Sequence, residues 1–225
     1  MKQIIFCDLD GTLLPQGKSK IDQDVLNHIK RLTNKGVVFC VASGRSYSSL
    51  SRFFGTLSRN IVFICLDGAL IMHRDCVLYK KPLKNADCLI NGQKATIFCR
   101  TNELSIGENT PQTDLRSLIN RQGGEVLKVA LYGKEANDCD ARLCYQKDGI
   151  FEYVDHQVNK GVAAEVVLNK FCTARENATA LGDGENDLPL LRAVGKPFRM
   201  ASCHQSLIDF GYPSVQTIYD FLSMI

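Results

Sequence analysis

The 225-residue chain has no block of like charge; no basic run exceeds two residues, as at Lys80-Lys81. Its formal net charge is +3 and its pI is near 8.3. A balance this mild leaves no electrostatic footprint for nucleic acid or a membrane surface. No apolar stretch is long enough to span a bilayer. The four apolar residues before Asp8 (Ile4, Ile5, Phe6 and Cys7) are too few for the core of a signal peptide. Cys-x-x-Cys is also absent among the ten cysteines, so neither a zinc site nor a thioredoxin-type motif is signalled. Cys40, Cys99 and Cys172 each follow Phe. They read as small buried hydrophobes of a reduced protein rather than as disulfide partners, and the expected location is the cytoplasm. No repeat or low-complexity segment is present.

What is present is an ordinary globular composition, 45% hydrophobic and 23% charged, on a length that suits one large domain or two small ones. The first eighty residues alternate. "QIIFC" is a short apolar strand. "DVLNHIKRLTNKG" puts Val25, Ile29 and Leu32 on one helical face, and Gly36 can end it. "VVFCVAS" is a second strand, "SYSSLSRFFGTL" a second helix and "IVFIC" a third strand. Continuous apolar strands separated by helices predict a parallel sheet covered on both faces, an α/β core. "DGALIMHRDCVLYKKPL" reads as a hairpin turning at Arg74-Asp75.

From Pro82 to Asp155 the pattern changes. "ATIFCRT", "VLKVALYG" and "GIFEYVD" look like strands, "TDLRSLINRQ" and "EANDCDARLCYQ" like helices, and "SIGENTP" like a polar loop. This predicts a small α+β domain, residues 82–155, inserted into a core made of residues 1–81 and 156–225. After it, "NKGVAAEVVLNKF" is a helix with Val162, Val166, Val167 and Phe171 on its buried side. "ATALGDGENDLPLLRAVG" is a strand, a turn and a helix.

Four elements carry chemistry. Asp8-Leu9-Asp10-Gly11-Thr12 places two carboxylates where a buried strand ends. Asp-Gly is also a hairpin dipeptide. A calcium loop is excluded, because Leu13 and Ser19 occupy the positions that need Gly and Glu. Such a run arises by chance in a chain of this length roughly a few times in a thousand. Gly182-Asp183-Gly184-Glu185-Asn186-Asp187 puts three acids in five residues after another apolar strand. Asn186 or Asp187 could simply cap the next helix, with Pro189 early in it. In a parallel sheet, however, Asp8 and Asp183 share one edge, and two carboxylates with waters suit Mg2+. Ser43-Gly44-Arg45 follows a strand and is expected to open a helix, whose N-terminus could face a phosphate. Lys160 taken alone reads as a surface residue, yet the acidic cluster needs a cation.

Together and in this order, Asp8-x-Asp10-Gly11-Thr12, Ser43, Lys160 and Gly182-Asp183-Gly184-x-Asn186-Asp187 resemble the haloacid dehalogenase (HAD) superfamily. The insertion between the Ser and Lys motifs resembles its Cof-like, type IIB branch. The chain departs from the usual pattern at Asp67, where Asn is common, and at Met200-Ala201-Ser202-Cys203; its insertion is also short for the branch.

The resemblance implies a Mg2+-dependent phosphatase acting on a small phosphorylated metabolite. Asp8 would be the nucleophile and form an aspartyl-phosphate. Asp10 would protonate the leaving oxygen and then activate water. Ser43 and Lys160 would bind phosphate oxygens, with Gly11, Thr12, Gly44, Arg45 and Asn186 also facing phosphate or substrate. The metal would be held by Asp8, the Asp10 carbonyl and Asp183, with Asp187 ordering its waters. The same intermediate would serve a phosphotransferase or sugar-phosphate mutase. A non-catalytic phospholigand-binding protein is the remaining alternative, which an intact Asp8 and Asp10 argue against.

Overall fold

The structure is a computed structural model that describes residues 2–136 and 140–225. It begins with β1 (Ile4–Asp8), α1 (Gln23–Asn34), β2 (Val38–Ala42), α2 (Tyr47–Ser51) and β3 (Ile61–Cys65). Helix α1 forms as its spacing predicts. Val25, Ile29 and Leu32 are buried, Asp22 caps it by accepting from the Asp24 N–H at 2.9 Å, and Gly36 (φ +88°) turns the chain out of it. The second helix is shorter than its pattern suggests. Helix α2 is one and a half turns, and a 3₁₀ segment, Gly55–Asn60, completes the crossover. Leu50 and Phe54 are still buried by it, packed on the face of β3.

The hairpin follows as β4 (Leu70–His73) and β5 (Cys76–Lys80), turning through Arg74 and Asp75, both with positive φ. The insertion then contributes α3 (Ala86–Ile90), β6 (Ala95–Phe98), β7 (Glu103–Ile106), α4 (Gln112–Arg121), β8 (Lys128–Tyr132), β9 (Arg142–Lys147) and β10 (Ile150–Val154). The helix expected over "EANDCDARLCYQ" does not form in its second half. Arg142–Lys147 is a strand, and residues 137–139 lie outside the described residues. The cause is the turn that follows. Asp148 and Gly149 both take positive φ, the backbone a two-residue hairpin needs, and they fold β9 antiparallel onto β10. The start of the supposed loop "SIGENTP" is likewise the end of β7, paired with β6.

The chain returns through α5 (Lys160–Lys170), β11 (Ala178–Gly182), α6 (Leu188–Ala193), β12 (Lys196–Met200), α7 (Gln205–Asp209), β13 (Ser214–Val215) and α8 (Ile218–Ser223). Helix α5 buries Ala163, Ala164, Val167 and Leu168; Val162, Val166 and Phe171, expected on that side, are only half-buried. At its start α5 lies close against α6, where a Cβ added at Gly161 would stand 2.7 Å from the Pro189 carbonyl carbon.

Two sheets result. The first has order β13-β12-β11-β1-β2-β3-β4-β5, parallel from β13 to β3 and antiparallel at β4 and β5. Alternate residues of β1 serve opposite faces: Ile5 and Cys7 join one apolar cluster, Ile4 and Phe6 the other. The second is the inserted antiparallel sheet, order β7-β6-β8-β10-β9, with a core of its own under α3 and α4. The nine described cysteines are free thiols. Cys7, Cys40, Cys65 and Cys99 are buried as expected, but Cys172 is exposed beyond the end of α5, as are Cys76 and Cys88. Among the described residues no helix is long and apolar enough to cross a membrane.

Candidate active site

Strand β1 is the point at which the sheet order reverses: β2 and β3 lie to one side, β11 and β12 to the other. Crevices at the carboxyl ends of strands around such a point are where open α/β sheets bind ligands. Asp8 is the last residue of β1, and Asp183 follows β11, its parallel neighbour, so both carboxylates stand on one edge. Asp187 joins them, and one oxygen from each lies within 4.8 Å of the others.

Lys160, the first residue of α5, is 1% exposed, and its ammonium donates to Asp8 Oδ1 and to Asp187 Oδ1, both at 2.6 Å. Asn159 aims it by capping α5, accepting from the Val162 N–H at 2.9 Å. The other oxygen of Asp187 accepts from the backbone N–H groups of Asp183 and Gly184, at 3.0 and 2.9 Å. One lysine does not neutralise three acids. Burial and the neighbouring Asp187 raise the Asp8 pKa well above the usual carboxylate value, and Lys160 only partly opposes them. Asp183 is raised too, chiefly by burial and against a hydrogen bond from Thr12. For Lys160 burial favours the neutral form, but Asp187 and Asp8 outweigh it and keep the ammonium charged.

Asp10 is two residues from Asp8 and in different surroundings. It is exposed on the rim and held by Arg45, whose Nε and terminal nitrogen donate to its two oxygens at 2.8 and 2.7 Å. The two acids of the opening motif therefore have different cations. Arg45, expected to meet substrate, is occupied in this way, and its pKa is raised mainly by the bond to Asp10.

Three expectations change. Ser43 does not open a helix: α2 starts four residues later, after Ser46, and the Ser43 hydroxyl accepts from the Arg45 N–H at 3.2 Å within a loop. Thr12 does not line the cavity; it is 1% exposed and its hydroxyl donates to Asp183 Oδ1 at 2.8 Å. Gly11 does not line it either. Its N–H is taken by the Leu14 carbonyl at 2.9 Å, and at φ +88° an added Cβ would sit 2.7 Å from the Asp183 carboxyl carbon. Both residues back Asp183 rather than face a ligand. Asn186 does line the cavity, and its amide donates to Asp67 Oδ1 at 3.4 Å.

The cavity, of about 1060 Å³, lies between the two sheets. Asp8, Asp10, Ser43, Gly44, Arg45 and Lys160 line the core side. Opposite them the inserted sheet presents Phe98, Glu103, Arg142, Tyr145 and Glu152. Sequence reasoning missed this roof, and above all Lys128 on β8, which is 1% exposed and contacts Asp67, Gly44 and Glu152. The available signal was a single lysine in the apolar run "VLKVALYG". Burial alone would raise Asp67; Lys128 and Lys160 overcome it and hold its pKa down to about 2.

A model of the haloacid dehalogenase-like hydrolases matches residues 5–95 and 107–210, most of the chain. The chain belongs to the haloacid dehalogenase-like hydrolases. A curated relative of this HAD hydrolase is the 5-amino-6-(5-phospho-D-ribitylamino)uracil phosphatase of Bacillus subtilis, 25% identical, with 85% of this chain and 84% of that protein covered. Among solved structures, a protein of Thermotoga maritima superposes with a TM-score of 0.82 at 18% identity, covering 100% of this chain and 98% of that one. The HAD subclass IIB sugar phosphatase BT4131 superposes at 0.73 with 16% identity, covering 97% and 95%. Both superpositions cover nearly the whole chain, the inserted antiparallel sheet included.

Membership implies a divalent metal, and the donor set fits one. Asp8, Asp183 and Asp187 supply carboxylate oxygens, the ligand type of hard cations, and one lysine stands among the three. The Asp8 and Asp183 pKa values are raised, first by burial and then by the neighbouring Asp187, and a bound cation would relieve both effects.

Proposed function

We propose that this HAD hydrolase is a Mg2+-dependent phosphatase that cleaves a small phosphorylated metabolite, such as a sugar phosphate, through an aspartyl-phosphate on Asp8. The observation that carries the reading is the Asp8 carboxylate at the end of β1. It opens into the cavity, is held at 2.6 Å by Lys160, and stands beside two further acids. Asp8, Asp183 and the backbone carbonyl of Asp10 would hold the metal, with Asp187 ordering its waters. Bound there, Mg2+ supplies positive charge between a carboxylate and a phosphate dianion that would otherwise repel each other.

The chain's own residues do the rest. An Asp8 oxygen attacks phosphorus, the ester P–O bond breaks, and the leaving oxygen takes a proton from Asp10. Asp10 then takes a proton from water, the water oxygen attacks phosphorus, and Asp8 is released as a carboxylate. Asp10 must exchange Arg45 for the leaving oxygen, and the phosphate dianion is the anion that competes for that guanidinium. Ser43 and Lys160 face the non-reacting oxygens, where charge spreads in a loose transition state. Gly44 and Asn186 border the same space, while Gly11 and Thr12 hold Asp183. The inserted domain, residues 82–155, covers the site over a core of residues 1–81 and 156–225, limits water and meets the leaving group. The free thiols support a cytoplasmic location.

Turnover of p-nitrophenyl phosphate with Mg2+ tests the reading. Asp8→Asn and chelation by EDTA should each abolish it. Wild-type rates in the variant, or full activity in EDTA, would sink the mechanism. A screen of phosphorylated metabolites, following free phosphate, then identifies the substrate; a phosphorylated product without free phosphate would mark a phosphotransferase instead.

A further inference from the structure

Lys128 belongs to the inserted sheet, yet two of its three partners belong to the core. Its ammonium donates to Asp67 Oδ2 at 2.9 Å and to the Gly44 carbonyl at 3.1 Å, and pairs with Glu152 Oε2 at 2.5 Å. Of the three donors of this ammonium, two are hydrogen-bonded, to Asp67 and Gly44, and Glu152 pairs with the same charge. With its donors committed and 1% of its side chain exposed, Lys128 does not reach a substrate. The same ammonium occupies the space among Asp67, Cys144 and Glu152, whose ligand atoms lie within 4.8 Å of one another, so that cluster already has its cation.

The core partners are informative. Gly44 stands between Ser43 and Arg45. Asp67 is knitted to the same loop: its N–H donates to the Ser43 carbonyl at 3.1 Å, and the Leu66 N–H donates to the Arg45 carbonyl at 3.0 Å. Leu66 and Asp67 take φ of +53° and +56°, a backbone that non-glycine residues keep only where surrounding contacts over-determine it. The fit is close, since a Cβ on Gly44 would lie 3.1 Å from Asp67 Oδ2 and 3.4 Å from the Lys128 nitrogen. Asp67 also accepts from Asn186, another residue that lines the cavity.

We propose that Lys128 is a positioning residue acting between the two sheets: it pins the Ser43–Arg45 loop and Asp67 in the conformation that receives phosphate, so the loop is set only while the inserted sheet is docked. The kinetic part of this proposal rests on the phosphatase reading. In it, Lys128 touches neither phosphate nor metal and works through Gly44 and Asp67. Cap docking and phosphate affinity become one equilibrium, because the contact that closes the roof is also the contact that shapes the floor.

The test compares wild type with Lys128→Met, Asp67→Asn and the double variant, which removes both charges and leaves neither buried alone. Without any substrate, backbone amide exchange at residues 43–46 should accelerate in Lys128→Met, while exchange in α4 stays as in wild type. With p-nitrophenyl phosphate and Mg2+, KM should rise about tenfold or more and kcat should change less. The double variant should be no worse than Lys128→Met, because both residues act through one contact. Unchanged exchange at 43–46 in Lys128→Met overturns the proposal, as does a wild-type KM in a variant whose only defect is a lower Tm. Effects of the single variants that simply multiply overturn it too. A wild-type protein that does not hydrolyse the ester refutes the phosphatase reading instead, and the exchange measurement still judges the pin.

Discussion

Substituting Gly161 by Ala should disarm Lys160 without touching it. Gly161 is the second residue of α5 and lies against the first turn of α6. A Cβ there would stand 2.7 Å from the Pro189 carbonyl carbon, nearer still to its oxygen, and 3.0 Å from the Pro189 Cβ. Carbons pack at about 3.5–4.0 Å, so the contact falls roughly 1 Å short, and the obstacle is backbone that cannot rotate away. Overpacking of this kind costs about 1–3 kcal/mol. Replacing Gly by Ala in a helix returns about 1 kcal/mol. Because the clash is with a carbonyl, the upper part of the overpacking range applies, and the net loss should be about 2 kcal/mol. The relief available is for the first turn of α5 to retreat by about the missing distance, taking Lys160 with it. Its 2.6 Å bonds to Asp8 and Asp187 would then stretch beyond hydrogen-bonding reach. A misplacement of about 1 Å at a reacting group costs on the order of 100-fold in rate. Urea unfolding and kcat/KM for p-nitrophenyl phosphate measure the two effects, with Glu165→Ala on the exposed side of α5 as the control. A destabilised Gly161→Ala that keeps kcat/KM within about threefold of wild type would show that the flexible lysine stem absorbs the shift. The claim that helix packing sets Lys160 would then be wrong.

Lys160→Met should destabilise the metal-free protein by about 3–5 kcal/mol, because it strands two buried carboxylates, and added Mg2+ should recover part of that loss in a thermal melt. Thr12→Val removes the hydroxyl that orients Asp183; calorimetry should show metal affinity about 10–100-fold weaker. The Asp67–Lys128 pair should make stability depend on acid. The folded pKa of Asp67 is about 2, below the ordinary carboxylate value of 3.8, so its contribution is present above pH 4 and is lost as pH falls toward 2. That contribution is about 2 kcal/mol. Between pH 5 and pH 2 the wild type should lose about that much more stability than Asp67→Asn/Lys128→Met, and parallel acid-unfolding curves would contradict the assignment.

Local sequence determined the catalytic half well, because its signals are local. Apolar strands ending in Asp8 and just before Asp183 place both acids on one edge once the strands are parallel, and that follows from βαβ connectivity alone. Lys160 was legible only indirectly, because those acids need a cation; the Asn159 cap that aims it emerged with the structure. The inserted half was less so. Its strands are short and antiparallel, and a helical spacing over residues 141–146 yielded to the hairpin at Asp148-Gly149. Side-chain partners were the least legible. Nothing in "DLDGT" says that Asp10 turns to Arg45 while Asp8 turns to Lys160, or that Thr12 faces Asp183 rather than a ligand.

What the sequence by itself determined was the chemistry available: which acids, which lysine, and on which strand ends. What only the tertiary structure decided was how those charges are shared. Lys128 and Asp67 are 61 residues apart, on different sheets, and no periodicity links them. They meet because burying a lone charge is so unfavourable that each buried ion must find a counter-ion. Which partner it finds depends on how two separately formed sheets close on each other.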